Sequence, residues 1–165
     1  MSELIHRIKI FVYRFAETRP TYLLLKRDQG LEAMWGPLQA SLGFGDKLET
    51  AIRQHVRDDI GLPPPQRFLD LEMPGRWSIG DEEVVEWMFG VRTEDIIEPG
   101  RISPDWAAHR WATFDEAYHS LGFELFVVHI TQHLDDAAAG LGVRVDHFTE
   151  DLAAILGLAD VDCRG

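Results

Sequence analysis

The segment from Asp46 to Pro65 constrains this chain more than any other, because both ends of a helix are written into it. Leu48, Ala51, Ile52, Val56 and Ile60 recur at helical spacing and predict one buried stripe. Asp46, followed three residues later by Glu49, has the form of a capping box and predicts the helix start. Gly61 is suited to the left-handed conformation that stops a helix, and Pro63, Pro64 and Pro65 bar its resumption.

The face left outside that stripe carries chemistry. Positions three and four apart are neighbours on a helix, so His55 is adjacent to both Asp58 and Asp59. Two carboxylates and an imidazole on one turn suit a divalent cation, with oxygen ligands favouring magnesium or manganese. The alternative is a solvated acidic turn beside a surface histidine, and spacing alone leaves both open.

The remainder reads as mixed α/β. A strand is expected over 5–15, with Ile8, Ile10 and Val12 on one face. A turn at Glu17-Thr18-Arg19-Pro20 leads into a second strand over 22–27, and a loop over 28–33 into a third strand over 35–42. After the helix come strands around 68–72 and 83–91, with Gly75 and Gly80-Asp81 punctuating their connection. A short strand over 110–113 and helices over 114–121 and 124–136 complete the pattern.

The helical segment, taken with the loop before it, resembles the signature of the Nudix hydrolase superfamily, G-x5-E-x7-R-E-U-x-E-E-x-G-U with U aliphatic. Gly61-Leu62 match the closing G-U, Asp58-Asp59 fall on the E-E pair, Val56 on the first U and Asp46 on the first Glu. Three positions depart from it. Ala40 stands for the first Gly, Gln54 for the Arg that orients the acids, and His55 for the catalytic Glu. Gln54 replaces a charge with a neutral hydrogen bond. His55 is suited to accept a proton or ligate manganese but brings no negative charge. Weaker cation binding than in the family is therefore expected.

A second element resembles one Nudix branch, which includes dihydroneopterin triphosphate pyrophosphohydrolase and carries E-H-x-x-x-x-W after its sheet. Asp105-Trp106-Ala107-Ala108-His109-Arg110-Trp111 has that spacing, with Asp for Glu and Trp for His. Trp35 to Ser41 has the W-x-x-x-x-x-S pattern of the same branch. The resemblance implies that Asp105 is a remote metal ligand, whereas Pro104-Asp105 read alone is a turn. It covers roughly residues 5 to 135, and implies an α/β fold, a Nudix-like α/β/α sandwich on a mixed sheet.

The function this resemblance implies is metal-dependent hydrolysis of a diphosphate linkage in a nucleoside di- or triphosphate, or a similar X-linked diphosphate. His55 and Asp59 are the candidate catalytic residues, and Asp58, Asp59, Asp105 and His55 the candidate ligands of Mg2+ or Mn2+. Asp46 and Gln54 support the loop. Arg27, at the end of a hairpin where the family often has a basic residue, is a candidate phosphate contact. Trp35 is a candidate stacking surface and Glu86 an accessory acid, Glu83 and Glu86 lying on opposite faces of their strand. The competing reading is a catalytically silent Nudix-like domain that binds a nucleotide or a partner protein; it draws on His55 and Gln54.

Composition sets the outer bounds. A chain of 165 residues is one domain in size and buries on the order of 70% of its extended surface. Residues 1–135 are expected to form it, with 136–165 a helical extension packed on it or covering a homodimer interface. A net charge of −12 opposes extended contact with DNA or RNA, leaving a small phosphorylated metabolite or nucleotide as partner. No apolar run is long enough to span a membrane. The lone Cys163 permits no intrachain disulfide, which favours a cytoplasmic setting. His129 and His133 have zinc-compatible spacing but no accompanying acid.

Overall fold

Alternation of apolar side chains along the first strand organises the whole sheet. Ile8, Ile10 and Val12 face one way and Phe11 and Tyr13 the other, and all five are buried. A computed structural model of the chain describes residues 4–27, 35–72 and 74–121. The expected helix over 124–136, the His129 and His133 pair and the extension over 136–165 lie outside the described residues.

Strand β1 (Leu4–Ala16) is the spine. It pairs in parallel with β7 (Glu82–Arg92), from Leu4 opposite Glu83 to Tyr13 opposite Arg92. On its other side β1 runs antiparallel to β2 (Arg19–Arg27) and, nearer its start, to β4 (Leu38–Leu42). Strand β3 (Trp35–Gly36) and β8 (Trp106–Ala112) join β2, while β5 (Leu69–Asp70) and β6 (Gly75–Ile79) join β7. The result, among the described residues, is one mixed sheet.

Helix α1 (Leu48–Ile60) buries Ala51, Ile52, Val56 and Ile60 against Ile8, Ile10, Leu23, Leu25 and Phe89 on one face. Helix α2 (Phe114–Leu121) covers the other, where Ala117 meets a cluster containing Phe11, Tyr13, Leu24 and Met88. The expected α/β/α sandwich on a mixed sheet is thus the observed architecture.

Several boundaries differ from the sequence expectation. The β1–β2 turn is only Glu17-Thr18, with Glu17 at φ 59°, so Arg19 and Pro20 belong to the strand. The strand expected over 35–42 is split at Pro37, which has no N–H to donate, into β3 on β2 and β4 on β1. Gly75 opens a strand, β6, within the stretch expected as a connection, and Gly80-Asp81 closes the β6–β7 hairpin with Gly80 at φ 60°. Strand β8 begins at Trp106, four residues before the expected start.

Both ends of α1 have an identifiable cause. At the C-terminus Gly61 takes φ 68°, and its N–H and that of Leu62 bond the carbonyls of Arg57 and Val56 at 3.0 and 3.2 Å. At the N-terminus the expected capping box does not form. Lys47 occupies the cap without a side-chain bond, and Asp46 is drawn instead to the Gly43 N–H at 2.8 Å. A capping box does form on α2, where Glu116 accepts from the Thr113 N–H at 2.8 Å and the Glu116 N–H approaches Thr113 Oγ1 at 3.4 Å.

Candidate active site

The outward flank of α1 holds the acids singled out from the sequence, and they divide into two pairs. His55 Nδ1 and Asp59 Oδ2 lie 2.8 Å apart, each side chain about one-quarter exposed. An ionised carboxylate only accepts, so this contact places the proton on Nδ1 and leaves the Nε2 lone pair of a neutral imidazole available. Asp58, about 100° further round the helix, turns away. Its carboxylate accepts from Arg57 Nε at 2.7 Å and Nη2 at 3.2 Å. Those bonds hold the Asp58 pKa below its ordinary value and raise that of Arg57.

Two loops flank the helix. Before it, Asp46 Oδ2 accepts the Gly43 N–H while the Asp46 N–H bonds the Gly43 carbonyl at 3.1 Å, a latch that leaves Phe44 fully exposed at the tip. After it, the Ser103 N–H bonds the Asp59 carbonyl at 2.8 Å, fixing the approach to β8 against the last turn of α1. Ser103 also organises the entry into β8. Its Oγ accepts from the Asp105 N–H at 3.3 Å, and its carbonyl accepts from the Trp106 N–H at 3.0 Å. The exposed Asp105 is therefore carried next to the chain segment that holds Asp59.

Trp106 packs against the core beneath α1, and the guanidinium of Arg27 lies 4.6 Å from its ring centroid. A guanidinium stacked on an indole keeps its in-plane N–H donors free for phosphate oxygens. Gln54 is exposed and adds no bond to the acids. Trp35 and Glu86 stand elsewhere. Trp35 packs in the cluster beneath α2, with Lys26 and Arg110 at 6.0 and 4.7 Å from its ring. Glu86 shares the strand face of Met88 and forms an ion pair with Lys9 at 2.7 Å. Both lie across the sheet from His55 and Asp59. Nothing in the sequence singled out Ser103; its tie to Asp59 joins residues 44 positions apart.

Among the described residues no three His, Cys, Asp or Glu side chains converge as a closed metal cage. Magnesium keeps several waters and takes one or two carboxylates together with substrate phosphates. Asp59 and Asp105 are carboxylates on adjoining segments, while the Asp58 carboxylate is engaged by Arg57.

No family model matches the sequence, and no curated protein does. Solved structures do match. A Caenorhabditis elegans Ap4A hydrolase in a binary complex aligns over 80% of this chain and 98% of its own, with a TM-score of 0.63 and 12% identity. The chain has the Nudix fold. The NUDIX domain of Shewanella oneidensis NrtR, crystallised with ADP ribose, aligns over 81% of this chain and 90% of its own, with a TM-score of 0.64 and 12% identity. The Escherichia coli dihydroneopterin triphosphate pyrophosphohydrolase aligns over 77% and 92%, with a TM-score of 0.61 and 14% identity. At these identities the likeness is one of Nudix architecture.

Proposed function

We propose that this chain hydrolyses a diphosphate linkage in a nucleoside di- or triphosphate or a related X-linked diphosphate. The observation that carries the reading is the hydrogen bond between His55 and Asp59 on the box helix of a Nudix fold. Asp59 orients the imidazole, and His55 Nε2 accepts a proton from the water that attacks phosphorus. The attacking oxygen bonds to phosphorus as the bridging P–O bond breaks, and the departing phosphate takes the electron pair of that bond. Arg27, stacked on Trp106, meets the phosphate oxygens. Asp58, Asp59 and Asp105 would hold magnesium or manganese, whose charge offsets that of the phosphates in the transition state.

Several features support the reading. The fold is that of proteins described as an Ap4A hydrolase, an ADP-ribose-bound domain and a triphosphate pyrophosphohydrolase. Acids occupy four of the positions at which the family signatures carry Glu, namely Asp46, Asp58, Asp59 and Asp105.

The test is release of phosphate and pyrophosphate from a panel of nucleotides and X-linked diphosphates with magnesium or manganese, with Asp59→Asn run in parallel. Turnover by the wild type that disappears in the variant is expected. Absence of turnover at protein concentrations matching the substrate would overturn the hydrolase reading and leave a Nudix-fold binding domain.

A further inference from the structure

Strand β6 lies at an edge of the sheet. Among the described residues it pairs with β7 alone, and its outer side carries no strand. The hairpin register settles which backbone groups point outward. Ile79 opposite Glu82 closes a two-residue turn whose first residue, Gly80, takes φ 60°, and the residues flanking such a turn exchange hydrogen bonds. Bonded and non-bonded pairs then alternate. Trp77 with Val84 and Gly75 with Glu86 are bonded pairs, so the N–H and C=O groups of Arg76 and Ser78 point away from β7.

This edge is poorly protected. Sheet edges are usually blunted by bulges, prolines, charges or burial. Strand β8 is joined to the sheet through a register shift at Lys26/Arg27, and β4 buries Leu38 and Ala40. The β6 register runs without a shift, and Arg76, Trp77 and Ser78 are exposed in succession. The single charge on the strand, Arg76, is offset by Glu83 at 2.7 Å.

The strand is also complementary to itself. A two-fold axis at Trp77 sets Arg76 opposite Ser78 of a second copy, and Ser78 opposite Arg76 of that copy. Each pair exchanges two hydrogen bonds, so all the outward groups of both residues are satisfied. Moving the axis to Arg76 would set Ser78 against Pro74, which has no N–H, and moving it to Ser78 would set Arg76 against Gly80 in the turn. The two Trp77 residues meet as a non-bonded pair, the closer kind in an antiparallel ladder. They lie on the face away from α1, where Arg7 and Lys9 each approach the ring to 5.9 Å from β1. On the opposite face Ser78 stands beside Glu83. Arg76 of each copy therefore points toward Glu83 of the other as well as its own, a balanced set of two cations and two anions.

We infer that β6 is a self-association edge, through which two copies of this chain join their sheets antiparallel into one. The inference does not depend on the chain being a hydrolase. Each copy contributes a five-residue strand, a small interface, so association is weak and concentration-dependent. The net charge of −12 on each copy opposes approach, and salt at about 0.15 M limits that repulsion to a range of about 8 Å.

Sedimentation equilibrium of the full chain at that ionic strength, with amide hydrogen exchange on the same samples, tests the inference. The mass should double between about 1 μM and about 1 mM protein. Over that range the Arg76 and Ser78 N–H groups should gain at least tenfold protection, while the Trp77 N–H, bonded to β7, is protected throughout. Ser78→Pro removes an outward N–H but no bond to β7, and should weaken the dimer at least tenfold. Arg76→Glu, which gathers four carboxylates at the axis, carries the same expectation and decides alone if the proline variant misfolds. Asp59→Asn should dimerise as the wild type does. A monomer at about 1 mM overturns the inference. So does a dimer in which Arg76 and Ser78 gain no protection, or one that Arg76→Glu leaves as strong.

Discussion

His55 Nδ1 and Asp59 Oδ2, one helical turn apart on α1, lie 2.8 Å from each other, so the two side chains form one hydrogen-bonded unit. A carboxylate that fixes the imidazole tautomer does so only while it remains an acceptor. Replacing either partner should therefore cost nearly as much as replacing both. His55→Asn and Asp59→Asn are each expected to lower kcat by roughly 100-fold or more, the usual contribution of a positioned general base. The double variant should fall little further than the worse single one, as residues acting as a unit are strongly non-additive. Steady-state kinetics on the best substrate of the panel checks this, and multiplicative losses would show that the two side chains act separately.

The end of α1 is set by backbone conformation as much as by sequence periodicity. Gly61 sits at φ 68°, and a Cβ there would run into the Cβ of Arg101 and crowd its carbonyl oxygen. Gly61→Ala combines left-handed strain with that overlap, so destabilisation by more than about 1 kcal/mol is expected. Because the neighbouring carbonyl of Asp59 holds Ser103, activity should drop as well. Urea denaturation gives the first quantity. An unchanged midpoint would show that the segment at Arg101 moves away at little cost.

Much of the fold was legible where one physical pattern acts alone. The stripe of Ala51, Ile52, Val56 and Ile60 and the stop at Gly61 arise from helical period and glycine geometry, and both are present. What was not legible depended on competition between local partners. Asp46 and Glu49 have the spacing of a capping box, yet Asp46 is taken by the nearer Gly43 N–H. Strand β6 carries Gly75, Ser78 and exposed side chains at Arg76 and Trp77, so nothing in its pattern separates it from a loop. Its pairing with β7 comes from the two-residue turn at Gly80-Asp81. The placement of His55, Asp58 and Asp59 on one helix was legible. The division into His55 with Asp59 and Arg57 with Asp58 was not, because neighbouring donors choose among acceptors that spacing treats alike.

The capping box on α2 should be visible in the pH dependence of stability. Two hydrogen bonds from Thr113 hold the Glu116 pKa below its ordinary value of 4.5. A carboxylate with a depressed folded pKa contributes stability above its unfolded pKa, and that contribution disappears as pH falls through the folded value. Glu116→Gln is therefore expected to melt below the wild type at pH 7 and to converge with it under acid conditions. Thr113→Ala, which removes the cap hydroxyl, should cost about 1 kcal/mol. Thermal melts across pH 3 to pH 7, values chosen to bracket the carboxylate range, provide the check; a constant gap between wild type and Glu116→Gln would contradict the assignment.

The Lys9 and Glu86 pair offers the sharpest stability prediction, since both side chains are about nine-tenths buried. Removing one member of such a pair leaves an uncompensated charge in a poorly hydrated setting, which typically costs about 3–5 kcal/mol. Glu86→Leu should approach that range, because Arg7 and Lys9, two residues apart on one face of β1, would then stand side by side without the Glu86 carboxylate beside them. Lys9→Met should cost less, since Arg7 stands opposite Glu86 and can swing to replace the lost ammonium. The double variant Lys9→Met with Glu86→Leu should recover most of the loss, as apolar replacement of both partners is often close to neutral. Chemical denaturation of the three variants decides the matter. If the two single losses simply add in the double variant, the pair is not coupled and Glu86 is stabilised by its other surroundings.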